Sequence, residues 1–129
     1  KKFLKVHGVF DRVTLVGGDF IAEIPIETDL YVLKSVLQHW DDLGARALLE
    51  SCRDAMQARA RLAIVERLLP EAASGDPSAV MLDLHMMVIT GGRVRTLQEF
   101  ERLLAEANLA LSKIYATSSG LSVVEAVPA

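Results

Sequence analysis

The chain has 129 residues, a length that suits one domain and leaves little room for two. Hydrophobic residues supply 51% of it and charged residues 24%, with a mean hydropathy of +0.29, which excludes a disordered or low-complexity chain. A net charge of −3 argues against a nucleic-acid surface or a polybasic membrane patch, and one cysteine excludes a disulfide framework or cysteine-based zinc cluster.

No apolar run approaches the ~18–20 residues that cross a bilayer. Lys1-Lys2-Phe3 carries neither an initiator Met nor a signal peptide, so the start is expected to be a cut one. His7 precedes Gly8, a candidate C′ glycine, and is expected on the surface near a helix end. Residues 13–16 (Val-Thr-Leu-Val) form a β-branched run ending at Gly17-Gly18, which predicts a strand and a turn. Residues 30–33 (Leu-Tyr-Val-Leu) and 62–65 (Leu-Ala-Ile-Val) are continuous apolar runs, the pattern of strands buried on both faces of a parallel sheet. Between them, Asp41 or Asp42 caps a helix with Leu48, Cys52, Ala55 and Met56 on its apolar side and Arg46, Glu50, Arg53 and Asp54 opposite. Strand, helix and strand make a βαβ unit, with Cys52 an inert core thiol.

After Pro70 a loop is expected over residues 72–75, and Asp76-Pro77 then reads as an N-cap followed by Pro at the first helical position. That helix, from Ser78 to about Ile89, stops at Gly91-Gly92. Thr96 and Glu99 have capping-box spacing, and Phe100, Leu103, Leu104 and Ala107 give the next helix its apolar stripe. Residues 112–116 and 121–127 read as two strands joined through Thr117-Ser118-Ser119-Gly120, an antiparallel hairpin at the sheet's edge. With no repeat or linker to divide it, the chain is one α/β unit over residues 1–129.

Six segments, in order, carry a resemblance. They are residues 12–20 (Arg-Val-Thr-Leu-Val-Gly-Gly-Asp-Phe), residues 29–37 with Trp40-Asp41-Asp42, and Ile64-Val65-Glu66 with Leu69-Pro70. Asp83-Leu84-His85-Met86, Gly91-Gly92 with Arg95-Thr96, and residues 119–126 complete the set. Together they resemble the catalytic domain of the plant and bacterial small-molecule O-methyltransferases that use S-adenosylmethionine. The resemblance runs from about residue 8 onward and covers about a third of a typical family member.

The resemblance implies the C-terminal part of a Rossmann-like class I methyltransferase sheet, whose order in the family is 3-2-1-4-5-7-6. This chain would hold the equivalents of strands 3 to 7 and lack the first two, together with the Gly-rich cofactor loop and the N-terminal dimerisation domain. It also implies a cytoplasmic homodimer acting on a small hydroxylated aromatic substrate, with neither nucleic acid, membrane nor metal involved. Asp19 would accept a hydrogen bond from the adenine amino group of S-adenosylmethionine, Phe20 would pack on the adenine ring, and Lys34 would lie beside the cofactor. An Asx-turn with a core Phe is the structural alternative for the first two.

Methyl transfer to a hydroxyl needs in-line alignment and loss of the hydroxyl proton, usually to a His. The family's base follows the Val36-Leu37 pair, where this chain has Gln38, with His39 one position later; adjacent side chains point in different directions. Glu66 matches the first of two carboxylates that brace the base, whereas Val94 stands where the second is expected. Catalytic candidates are therefore His39, Glu66 and Gln38, and acceptor-side candidates are Met86 and Trp40. Met81 and Met87 are expected to be packing residues, His85 a surface one, and Arg95 a tie between the Gly-Gly loop and a carboxylate. Residues 57–60 (Gln-Ala-Arg-Ala) replace the family's Pro-Gly-Gly turn, so the preceding helix should run about one turn further. A non-catalytic descendant that keeps only a ligand-binding or assembly role is the rival reading.

Overall fold

The computed structural model describes residues 1–72 and 74–129; Ala73, within the expected 72–75 loop, lies outside the described residues. A short helix α1 (Lys2–Val6) leads into irregular chain up to β1 (Leu30–Lys34). Helix α2 (Asp42–Ala55) connects β1 to β2 (Arg61–Glu66), and the two strands are parallel, as a βαβ unit requires. Helices α3 (Pro77–Ile89) and α4 (Leu97–Glu106) follow, then the hairpin of β3 (Leu109–Ala116) and β4 (Ser122–Pro128). The sheet order is β1-β2-β4-β3, mixed, with β4 antiparallel to both β2 and β3.

One face of this sheet carries the core. Leu62 and Ile64 of β2 and Val124 and Ala126 of β4 meet Leu48, Leu49 and Cys52 of α2 and Phe100 and Leu104 of α4. Burial pushes the Cys52 thiol up to about 11, which keeps it protonated and inert. The expectation that β1 is buried on both faces is corrected: Tyr31 is buried, but Leu30 and Val32 are about half exposed, at 52% and 57%. The helices α2 and α4 cover the face that Tyr31 shares, and the alternate residues look away from that layer.

Three further expectations change. Residues 13–16 form no strand: Val13 has extended dihedrals, but the segment pairs with no other strand of the described sheet, and extended backbone without a ladder is not a strand. Helix α2 does not run on into residues 57–60. It stops at Ala55, where the Tyr31 hydroxyl lies 2.7 Å from the Ala55 carbonyl, while Met56 turns extended and the Ala60 N–H donates to the Gln57 carbonyl. Met81 and Met87 are not packing residues but 65% and 58% exposed, because α3 buries only Ala79 and Met86. His7 and His85 are exposed, as read from the sequence. The hairpin strand begins at Leu109, three residues before its expected start, with an irregularity in register between Leu111 and Lys113.

The caps are those the sequence marks. Asp41 accepts from the Gly44 N–H, Asp76 from Ser78 and Ala79, and Thr96 and Glu99 close a reciprocal capping box. Thr96→Ala is expected to remove about 1 kcal/mol of stability by orphaning the Glu99 N–H. A thermal-unfolding midpoint unchanged in the intact protein would show that the cap contributes nothing. No helix among the described residues is long and apolar enough to cross a membrane.

Candidate active site at the carboxyl edge of the sheet

Parallel pairing brings the ends of β1 and β2 to one edge: Lys34 lies opposite Val65, and Glu66 one residue beyond. Ser35, at a φ of 53°, donates its N–H to the Val65 carbonyl and turns the chain out of the sheet into a 3-10 turn, Leu37–His39. This edge is where ligands bind in open α/β sheets.

Two buried charges hold that turn from opposite sides. Glu66, 1% exposed, accepts the N–H groups of Val36 at 3.0 Å and Gln38 at 3.2 Å on a single carboxylate oxygen. Burial pushes its carboxyl above the usual carboxylate range, while those amides and the Arg95 guanidinium partly offset the shift. Arg95, also 1% exposed, donates to the carbonyls of Leu37 and Trp40, both at 3.0 Å, and through Nε and Nη2 to one oxygen of Asp42 at 3.1 and 2.9 Å. Arg95 therefore does tie its own loop to a carboxylate, as expected, with a weaker 3.4 Å contact to the Arg93 carbonyl. Its larger role, reaching across to residues 37 and 40, had no local sequence signal.

The Gly-Gly loop closes the third side. The Thr90 hydroxyl donates to the Met86 carbonyl at the end of α3 and accepts from the Gly92 N–H. A Cβ on Gly92 would lie 2.2 Å from the Gln38 carbonyl oxygen and 2.5 Å from the His39 carbonyl carbon, so the two backbones touch there. Val94 is buried, with its N–H donated to Asp83 of α3 at 2.8 Å, which makes its side chain an apolar neighbour rather than a brace.

The candidates from the sequence thus fall into two places. Gln38 is buried, His39 exposed, Trp40 half-buried against Gly44 at the start of α2, and Met86 buried on α3. Glu66 engages the turn's backbone, and no hydrogen bond among the described residues joins it to the His39 imidazole. Lys34 is exposed at the same edge. Asp19 and Phe20 lie elsewhere: Asp19 accepts the Ile21 N–H at 3.0 Å in an Asx-turn, and Ile21 is fastened to Ser51 near the far end of α2. Phe20, 48% exposed, borders a shallow concavity of about 180 Å³ with Val16, Gly17, Gly18, Ile24 and Ile26.

Among the described residues no hydrogen bond engages the second Asp19 carboxylate oxygen, and the Phe20 ring that follows it in the chain is half exposed; a carboxylate and an aromatic face are the residue types that a flat nitrogen heterocycle bearing an amino group needs. The concavity is well below the ~300–1,000 Å³ of a complete ligand site.

A sheet end whose connecting turn is held between a buried carboxylate and a buried guanidinium belongs to an α/β domain, the class of fold that binds ligands at the carboxyl ends of its strands. The comparisons specify it further. The family model for the O-methyltransferase domain matches residues 1–110. The phenazine O-methyltransferase PhzM of Lysobacter antibioticus is 45% identical over 128 residues, spanning 98% of this chain and 37% of that protein. The aclacinomycin 10-hydroxylase RdmB of Streptomyces purpurascens is 38% identical over 106 residues, 81% of this chain and 28% of that one. A crystal structure of an O-methyltransferase, NcsB1, from neocarzinostatin biosynthesis, in complex with S-adenosyl-L-homocysteine and 1,4-dihydroxy-2-naphthoic acid, superposes with a TM-score of 0.88. It is 30% identical and covers 99% of this chain and 38% of that one. The chain belongs to the O-methyltransferase domain family and spans about 37% of the length of the Lysobacter relative.

Proposed function

We propose that the intact protein transfers a methyl group from S-adenosylmethionine to a hydroxyl of a small aromatic metabolite, working as a homodimer. The observation that carries this is the Val36–Trp40 turn held between Glu66 and Arg95 at the sheet's carboxyl edge, in a chain of this family. A relative named as a phenazine O-methyltransferase and a related structure in complex with 1,4-dihydroxy-2-naphthoic acid support an aromatic acceptor.

S-adenosylmethionine supplies a methyl group activated on a sulfonium. Asp19 and Phe20 hold its adenine, and Lys34 lies on the cofactor side. Gln38, Trp40 and Met86 shape the acceptor side, with Glu66 fixing the turn that bears Gln38 and His39. The exposed His39 imidazole takes the hydroxyl proton as the oxygen attacks. Gln38, at the family's base position, is neutral and orients the acceptor instead; orientation alone can supply roughly 7–11 kcal/mol of effective-molarity advantage.

The test is S-adenosylhomocysteine binding by thermal shift on the intact protein, followed by methyl transfer to a panel of hydroxyphenazines and hydroxynaphthoates. A raised unfolding midpoint and a methylated product are expected. One relative is named as a hydroxylase, so membership of the family does not by itself fix methyl transfer, and the second reading is a non-catalytic module that keeps only ligand binding. Binding without a methylated product would select that reading, and no binding at all would sink both.

A further inference from the structure

We infer that Arg95 is a positioning residue for the proposed methyl transfer: by holding the carbonyls of Leu37 and Trp40 it sets the turn that presents Gln38 and His39 to the acceptor. This rests on the methyl-transfer reading for its kinetic consequence, but the structural device stands on its own distances. A guanidinium has five N–H donors in a fixed fork and no acceptor, so a buried one must be surrounded by oxygens. Arg95 is: its Nη1 donates to the Leu37 carbonyl at 3.0 Å, its Nη2 to the Trp40 carbonyl at 3.0 Å, and Nε and Nη2 share Asp42 Oδ1.

Those two carbonyls flank the residues in question. On the opposite side the N–H groups of Val36 and Gln38 point to Glu66, at 3.0 and 3.2 Å. The turn is therefore gripped by its carbonyls at one charge and by its amides at the other. The amides of His39 and Trp40 bond locally, to the Val36 and Leu37 carbonyls, so the outside groups that hold the turn are Glu66 on its amides and Arg95 on the Leu37 and Trp40 carbonyls. Asp42 sits one residue inside α2, half-buried, and also receives Arg93 at 3.6 Å and Arg102 at 3.5 Å. It fixes the guanidinium plane relative to α2, so the turn is referenced to the helix that follows it. A lysine would keep the charge and lose the fork: it could satisfy Asp42 or one carbonyl, not both carbonyls and the carboxylate in one plane.

The experiment compares intact wild-type protein with Arg95→Lys and Asp42→Asn, by peptide-level hydrogen exchange and by kinetics with S-adenosylmethionine and a methylatable phenol. In Arg95→Lys the amides of residues 36–40 should exchange at least tenfold faster, with those of β3 and β4 unchanged. Acceptor kcat should fall at least tenfold while the S-adenosylhomocysteine Kd stays within about twofold. Asp42→Asn, which keeps an acceptor for the guanidinium, should show the same pattern in weaker form. Unchanged exchange over 36–40 overturns the inference, as does faster exchange across β3 and β4 together with a loss of cofactor affinity, the mark of a residue that only stabilises the fold. If the wild type methylates nothing but Arg95→Lys still frees residues 36–40 selectively, the methyl-transfer reading fails and the hold on the turn survives.

Discussion

Glu66→Gln should lower methyl-transfer turnover by roughly tenfold or more while leaving cofactor affinity within about twofold. The carboxylate accepts two backbone N–H groups of the turn on one oxygen, and hydrogen bonds to an ionised acceptor are about twice as strong as neutral ones. The amide keeps an oxygen for those N–H groups but weakens both bonds and adds an NH2 that needs acceptors of its own. Gln38 and His39 are then held less firmly, and the loss falls on kcat. An unchanged rate would leave Glu66 a buried strand-end carboxylate without a catalytic part.

The same substitution has an opposite, pH-dependent effect on stability. Burial raises the Glu66 carboxyl's pKa in the folded state, so the folded protein binds more protons than the unfolded one between the two values. Stability is then lost as pH rises from the unfolded value through the folded one. Glu66→Gln removes this group's titration. The variant's unfolding free energy, relative to wild type, should therefore increase as pH rises above about 4, the ordinary carboxylate value, as read by chemical denaturation at several pH values. A relative stability that is flat or falls with pH would mean that burial does not govern the group.

Gly92→Ala should be more damaging than alanine at any other glycine of the chain. The added Cβ would meet the Gln38 oxygen at 2.2 Å, the His39 carbonyl carbon at 2.5 Å and the Trp40 nitrogen at 2.7 Å, all backbone atoms that no rotamer change can move. Overpacking usually costs about 1–3 kcal/mol, and a backbone-to-backbone clash belongs at the upper end, with Glu66 and Arg95 resisting any shift of the turn. Gly91 provides the control. Its φ of 74° disfavours a side chain, but a Cβ there meets open space, so Gly91→Ala should cost only about 1 kcal/mol. Thermal unfolding of the two variants tests the ranking, and equal midpoints would refute it.

Much of the fold was legible because its signals are local. Asp41, Asp76 and the Thr96-Glu99 pair cap their helices by contacts within three residues, and the apolar runs at 30–33 and 62–65 mark two parallel strands. What failed depended on partners distant in sequence. Residues 13–16 have strand composition but no ladder, and α2 ends where Tyr31, 24 residues away, meets its last carbonyl. In the site, Glu66 and Gln38 were named through resemblance, and they lie at the end of β2 and just beyond β1. Their spacing could not reveal that Glu66 serves the backbone rather than the imidazole, nor that Arg95 spans 58 positions to Leu37. Asp19 and Phe20 were named through resemblance, and here the residue just after them, Ile21, is fastened to Ser51 of α2, apart from the turn.

The strand order has a consequence for biosynthesis. A ribosome delivers β3 before β4, yet β4 lies between β2 and β3, so the earlier strand of the hairpin has no place in the sheet until the later one emerges. Throughout that interval the nascent chain carries β2 with one bare edge, and Leu62 and Ile64 lack the Val124 and Ala126 neighbours that cover them in the finished molecule. A strand edge left open beside exposed apolar side chains invites pairing with another nascent chain or capture by a chaperone. Residues 122–128 thus close that edge of β2, although they take no part in the clamp around residues 36–40.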